Sequence, residues 1–141
     1  MYEEYSEAYR THSSTYGPDT AIFYQVGKFY EFYDWTDADT GSTQTSVKRF
    51  VDILGVRISI KKGDGPRKSD GIFAGVPEQS LHKYAAALTR AGWVVVVYDQ
   101  VKDWKGGVAS RDVARILTPA THVEALNEEA ATFFAGVWIC P

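Results

Sequence analysis

The sequence predicts an α/β domain, α+β in detail, with a mixed sheet flanked by helices. Three observations predict it. Trp93-Val94-Val95-Val96-Val97-Tyr98 is an unbroken apolar, β-branched run, as expected of a strand covered on both faces. Ala21 to Val26 carries apolar groups on both faces and reads as a second interior strand. Val47, Phe50, Val51 and Leu54, and then Leu81, Tyr84, Ala85 and Leu88, recur at i, i+3, i+4 and i+7, so two amphipathic helices alternate with the strands. At 141 residues the chain has one domain's length, enough to bury a single core.

In chain order, residues 3–15 read as a helix with Tyr5, Ala8, Tyr9 and His12 on one stripe, closed by Gly17-Pro18. The strand of residues 21–26 follows. Asp34 to Ser42 reads as a polar loop; its acids lack the spacing and terminal glutamate of a calcium loop. Gly55 stops the helix of residues 47–54. Val56, Ile58 and Ile60 alternate with Arg57, Ser59 and Lys61, which predicts a half-buried strand with a basic outer face. The loop of residues 61–69 holds Lys61, Lys62, Arg67 and Lys68, and reads either as a phosphate-facing patch or as a solvated hairpin tip. It is not a nucleotide loop, because Arg67 stands where a glycine should precede the lysine. Ile72 to Val76 is a short strand, residues 78–91 a helix with Pro77 and Glu78 at its start, and Gly92 its stop. Residues 102–110 read as a polar loop and Val113 to Leu117 as a strand. Residues 124–130 suggest a helical turn or two, and Phe133 to Ile139 the opening strand of a following segment cut short at Pro141.

Composition narrows the function. The chain is 45% hydrophobic and 14% aromatic, which is globular and not disordered. No apolar run approaches the roughly 20 residues of a membrane helix. No signal or transit sequence is visible, and the single Cys140 leaves no internal disulfide, so a non-secreted, reducing compartment is the default. His12, His82 and His122 are not spaced as a metal pair, and no serine-centred nucleophile motif occurs. Glu31 and Asp34 form a carboxylate pair on paper; a polar surface turn explains them as well, with nothing nearby to raise either pKa. No catalytic residue and no metal ligand is assigned, and a small hydrolase is the weakest reading. The formal net charge of −3 is unlike a free-standing DNA binder, which uses basic excess to neutralise phosphates.

One stretch carries a sharper signal. Ile22 to Tyr33 starts as an apolar strand, breaks at Gly27 and then presents Phe29 and Glu31 with one residue between them. Alternate residues of an extended segment share a face. With Gly27 at a surface, the two form an aromatic wedge beside an acceptor, suited to a duplex opened at a weak step. An interior Phe29 is the competing reading.

The block Phe23-Tyr24-Gln25-Val26-Gly27-Lys28-Phe29-Tyr30-Glu31-Phe32 resembles the signature of the N-terminal, mismatch-recognition domain of the MutS family of DNA repair proteins. Four further blocks resemble that family in the same order: Ile53-Leu54-Gly55-Val56 with Ile58-Ser59; Phe73-Ala74-Gly75-Val76-Pro77; Tyr84 through Gln100; and Val113 through Thr121. They cover about residues 15–125. The pattern differs at Lys28, Glu78-Gln79, Asp99 and Ala120, and in a longer loop at residues 40–44.

The resemblance implies a mismatch-recognition domain over residues 1–125, with 126–141 beginning a connector. It implies that Phe29 enters the minor groove and stacks on a mispaired or unpaired base while Glu31 hydrogen-bonds that base. Lys28, Lys61, Lys62, Arg67 and Lys68 would meet the backbone. It implies mismatched double-stranded DNA as partner, together with other domains of a parent protein and a second subunit through them. ATP and magnesium belong to later domains of full-length relatives, so no cofactor and no enzyme activity are expected of this chain. The alternative is the same fold used as a non-catalytic interaction module in a larger assembly.

Overall fold

The computed structural model of the chain describes residues 1–119. Helix α1 (Tyr2–Tyr16) leads into β1 (Thr20–Val26), which turns at once into β2 (Phe29–Trp35). Then come α2 (Val47–Leu54), β3 (Ser59–Lys61), β4 (Gly71–Pro77), α3 (Leu81–Arg90), β5 (Val94–Lys102) and β6 (Val108–Leu117). One six-stranded sheet runs in the order β3-β4-β2-β1-β5-β6. β1 and β5 are parallel, and the other neighbours antiparallel. The mixed, helix-flanked sheet that the sequence implies is the one that forms.

Helices cover both faces, which is why β1 and the first half of β5 are apolar throughout. On one face, α2 brings Phe50 against Phe23, Phe32 and Trp93 at ring separations of 6.2, 4.9 and 6.0 Å. α1 crosses the other face on a run of tyrosines. Tyr2 and Tyr5 pack edge-on to Tyr33, and Tyr5 also packs on Tyr24. His12 meets Tyr98. Offset and edge-on aromatic pairs contribute about 0.5–1.5 kcal/mol each beyond the area they bury. Every hydroxyl in this run has a partner; the buried Tyr5 donates to the Ile22 carbonyl at 2.6 Å. Gly71 is glycine because the Tyr2 ring lies on it, where any Cβ would collide.

Four elements differ from the sequence reading, each for a physical reason. Asp34 and Trp35 belong to β2 and not to a surface loop. Asp34 is fully buried, and its Oδ1 accepts the backbone N–H groups of Trp35, Gln44 and Thr45 at 2.7, 2.8 and 3.1 Å, gathering the chain that returns to α2. Burial pushes its carboxyl above the ordinary value despite those donors, contrary to the expectation that nothing would raise a pKa there. The basic strand shrinks to Ser59–Lys61, with Ile60 exposed, because β3 is a short edge with no helix over its outer side. The helix expected at 78–91 opens as a single 3₁₀ turn, Glu78–Ser80, before α3 begins. The polar loop at 102–110 is mostly hairpin: β5 runs to Lys102 and β6 starts at Val108. The segments expected at 124–130 and 133–139 lie outside the described residues.

Candidate nucleic-acid interface

The β1–β2 connection is a two-residue turn, Gly27-Lys28, between the paired residues Val26 and Phe29. Gly27 takes φ +61°, which glycine adopts without a Cβ clash. Past the paired residues Tyr24 and Tyr98 the strands β1 and β5 part, and side chains replace the ladder between them. Gln25 Oε1 accepts the Gln100 N–H at 2.8 Å, and Gln100 Oε1 accepts the Gly27 N–H at 3.1 Å. Gln100 Nε2 donates back to the Gly27 carbonyl at 3.2 Å, and Arg111 Nε donates to the Gln25 carbonyl at 2.6 Å. From the other side the Glu78 N–H donates to the Lys28 carbonyl at 2.9 Å, and Gln25 Nε2 to Glu78 Oε2 at 2.9 Å. An exposed turn is thereby braced from two directions.

Phe29 stands at the rim of this turn, 48% exposed. The interior position is not the one it occupies. Glu31 follows on the same face, half-buried, opposite Tyr24 on one neighbouring strand and Gly75 on the other. A Cβ at Gly75 would lie 3.6 Å from Glu31 Cγ, so glycine there leaves that flank of the acid uncovered. Tyr33, next on the same face, donates its hydroxyl to Glu31 Oε1. Burial first, then this bond and the Glu31 charge, hold the Tyr33 phenol far above its ordinary range, so it remains a donor. Glu31 is therefore tethered by one oxygen to a neutral phenol and is in no ion pair among the described residues. Behind it, Tyr24 donates to Glu4 at 3.0 Å, and burial followed by that bond pushes its phenol up to about 12. The Arg111 guanidinium lies 5.2 Å over the Tyr24 ring.

Of the residues singled out by sequence, the fold brings Phe29, Glu31 and the exposed Lys28 together. It does not bring Lys61, Lys62, Arg67 and Lys68 to them. Phe29 pairs with Pro77, whereas Trp35 pairs with Gly71 and Gly71 with Lys61. The basic loop thus lies six residues down β2, about 20 Å away along the sheet. Lys61 Nζ sits 5.1 Å over the Phe73 ring, whose strand partner Tyr33 lies on the Glu31 face, so this lysine shares the face but not the end. Arg67 and Lys68 are exposed on a tight turn at φ +55° and +61°.

Glu31 and Asp34 are three apart on one strand and project to opposite faces, so they are not a carboxylate pair. In the loop after β2, Asp37 Oδ1 accepts the N–H groups of Asp39 and Thr40. Among the described residues no group of three His, Cys, Asp or Glu side chains could hold a metal ion.

Sequence reasoning missed Tyr33, Gln25, Gln100 and Arg111. Gln100 and Gln25 stood inside two of the resembling blocks, which was the available signal. Arg111 fell between the stretch read as loop and the stretch read as strand, and nothing local announces that it reaches β1.

Fold and site together define a class: an α+β domain that carries an outward aromatic and a tethered acid on one rim of a mixed sheet. The family model for MutS domain I matches residues 6–125. The chain belongs to that family. It is 29% identical over 123 residues to the DNA mismatch repair protein MutS of Desulfitobacterium hafniense (strain Y51), an alignment covering 86% of this chain and 13% of that protein. It is 30% identical to the MutS of Persephonella marina over 123 residues, 86% of this chain and 12% of the relative. With the MutS of Methanothrix thermoacetophila it shares 32% over 126 residues, 85% of this chain and 13% of the relative. The chain thus spans about an eighth of the length of the curated relatives it matches.

Proposed function

We propose that this chain recognises mismatched or unpaired bases in duplex DNA, as the N-terminal module of a larger mismatch repair protein. The observation that carries the reading is Phe29, 48% exposed on a braced turn with Glu31 beside it on the same face. Membership of the MutS domain I family supports it. Phe29 enters from the minor groove and stacks at the disturbed step, where unstacking costs a few kcal/mol and a mismatch lowers that cost. Glu31 turns its untethered oxygen to the exposed base. On ordinary duplex the same carboxylate meets phosphates and no donor, which penalises the wrong target. Lys28 contacts the backbone beside the wedge. Lys61, Lys62, Arg67 and Lys68 meet phosphates about six steps away, given 3.4 Å per step. ATP hydrolysis and pairing with a second subunit belong to other segments of the parent protein.

The test replaces the matched segment of the Desulfitobacterium hafniense MutS with this chain. Binding is then compared on a duplex with one unpaired base and on its fully paired counterpart. Losing a base–aromatic stack costs about 1–3 kcal/mol, so Phe29→Ala is expected to weaken the first complex by about five- to a hundredfold and the second little. Glu31→Ala should narrow the ratio between the two duplexes. Equal losses on both would overturn the specificity reading.

A further inference from the structure

We propose that the tip of the β5–β6 hairpin, carried by Trp104, is a second contact to the DNA duplex, flanking the Phe29 wedge; the inference rests on the DNA-reading function proposed above. Trp104 is 89% exposed, more than any other large hydrophobic side chain described. Its position is built and not loose. Asp103 Oδ1 accepts the N–H groups of Lys105 and Gly107 at 2.9 and 2.8 Å, and the Asp103 N–H donates to the Gly107 carbonyl at 2.7 Å. Gly106, at φ +86°, completes the turn. A large, rigid aromatic held in water on a closed turn, covered only by the neighbouring Lys105, offers its face to a partner.

Register places this tip at the wedge's end of the sheet. Phe29 pairs with Val26, and Gln100 bonds both the N–H and the carbonyl of the adjoining Gly27, so Gln100 marks the level of Phe29 on β5. Trp104 lies four residues further along and two strands across. At 3.3 Å per residue and 4.8 Å per strand the separation is about 16 Å, or roughly five base steps of 3.4 Å. A duplex kinked at the wedge lays more of its length on the protein, and the tip lies within that reach.

Charge decides between DNA and protein as the occupant. Lys102 and Lys105 flank Trp104, and neither is in an ion pair among the described residues. The carboxylate that separates them in sequence, Asp103, is turned to its own backbone. Lys105 Nζ lies 4.9 Å over the Trp104 ring, so the indole and an ammonium present together. An aromatic face for a deoxyribose or base, an indole N–H and two ammonium groups for phosphates fit a polyanion. By contrast the flank of α1 over the same sheet is acidic, with Glu4 and Glu7 lining the groove beside Tyr24 and Tyr98. The duplex therefore approaches end-on, across the two turns, and not over α1.

The test titrates the 141-residue chain at low salt with a duplex carrying one unpaired base. NMR follows the Trp104 indole N–H, assigned with Trp104→Phe, alongside the Phe29 amide. Both signals should move and saturate together. Trp104→Ala should weaken this complex about three- to tenfold, and Lys105→Ala should reduce the logarithmic salt slope by about 0.9. A Phe29 amide that saturates while Trp104 stays still overturns the tip contact and leaves the wedge reading standing. Silence at both positions overturns the tip contact, while the wedge reading is decided by the grafted protein described above. A Trp104 signal that moves with chain concentration in the absence of DNA identifies a protein contact instead and also overturns the proposal.

Discussion

At the scale of single residues, a carboxylate beside an exposed ring discriminates only if its free oxygen is aimed. Tyr33 does the aiming: its ring is clamped by Tyr2, Tyr5 and Phe73, and its hydroxyl holds one oxygen of Glu31. Tyr33→Phe keeps the ring and deletes the donor. Its expected effect on folding is under about 1.5 kcal/mol, while the preference for an unpaired-base duplex over a paired one falls about three- to tenfold. Combining Tyr33→Phe with Glu31→Gln should add little further loss, because both act on one bond. Additive losses would mean that Tyr33 acts elsewhere. Asp34, on the opposite face, is structural. Asp34→Ala orphans three N–H groups, that of Thr45 buried and those of Trp35 and Gln44 partly so, and should cost about 2–4 kcal/mol in urea unfolding. Its pH signature is opposite to that of an ion-paired acid. Burial raises the folded carboxyl above the ordinary 3.8, so its stabilising share is complete below 3.8 and fades as pH rises through the folded value. Asp34→Asn should flatten that slope. None of this is legible locally, since Asp34 sits among Asp37 and Asp39 and looks like one more solvated acid.

At the scale of elements, legibility followed the period of the side chains. β1 and the first half of β5 announced themselves because helices cover them on both sides. α2 and α3 did so because their stripes repeat at helical spacing before Gly55 and Gly92. The far half of the β5–β6 hairpin did not. From Val101 to Ser110 every residue is exposed, so no buried face imprints an alternation on the sequence. The bracing of the β1–β2 turn was equally hidden, since Gln25 and Gln100 lie 75 positions apart. The placing of Phe29 and Glu31 on one face after the turn was readable because a glycine and two alternate residues suffice to define it. Gly27 carries a prediction of its own. Gly27→Val forces a β-branched residue to φ +61°, a cost of about 1–2 kcal/mol in folding. It should also disturb the hydrogen bonds to Gln100 and weaken mismatch binding more than paired-duplex binding. Gly27→Asn, which tolerates that backbone region better, should recover most of both losses. Were Gly27→Val to leave binding intact, the turn's rigidity would not matter to recognition.

Across the whole molecule, α1 ties β2 to β5. Its first turn supplies Tyr2 and Tyr5, which pack on Tyr33 and so stand behind Glu31. Its third turn supplies His12, whose Nε2 lies 2.8 Å from the Tyr98 hydroxyl on β5. Burial lowers the His12 pKa below the ordinary 6.5, so the folded chain favours the neutral ring. Below pH 6.5 the unfolded chain takes up a proton that the folded chain refuses. Stability is therefore fully present above 6.5, falls as pH drops through that value, and levels off once the folded imidazole is protonated too. Urea unfolding at pH 7.5 and 5.5 should show this loss, and His12→Gln should remove much of the difference. An unchanged slope in His12→Gln would place the proton elsewhere.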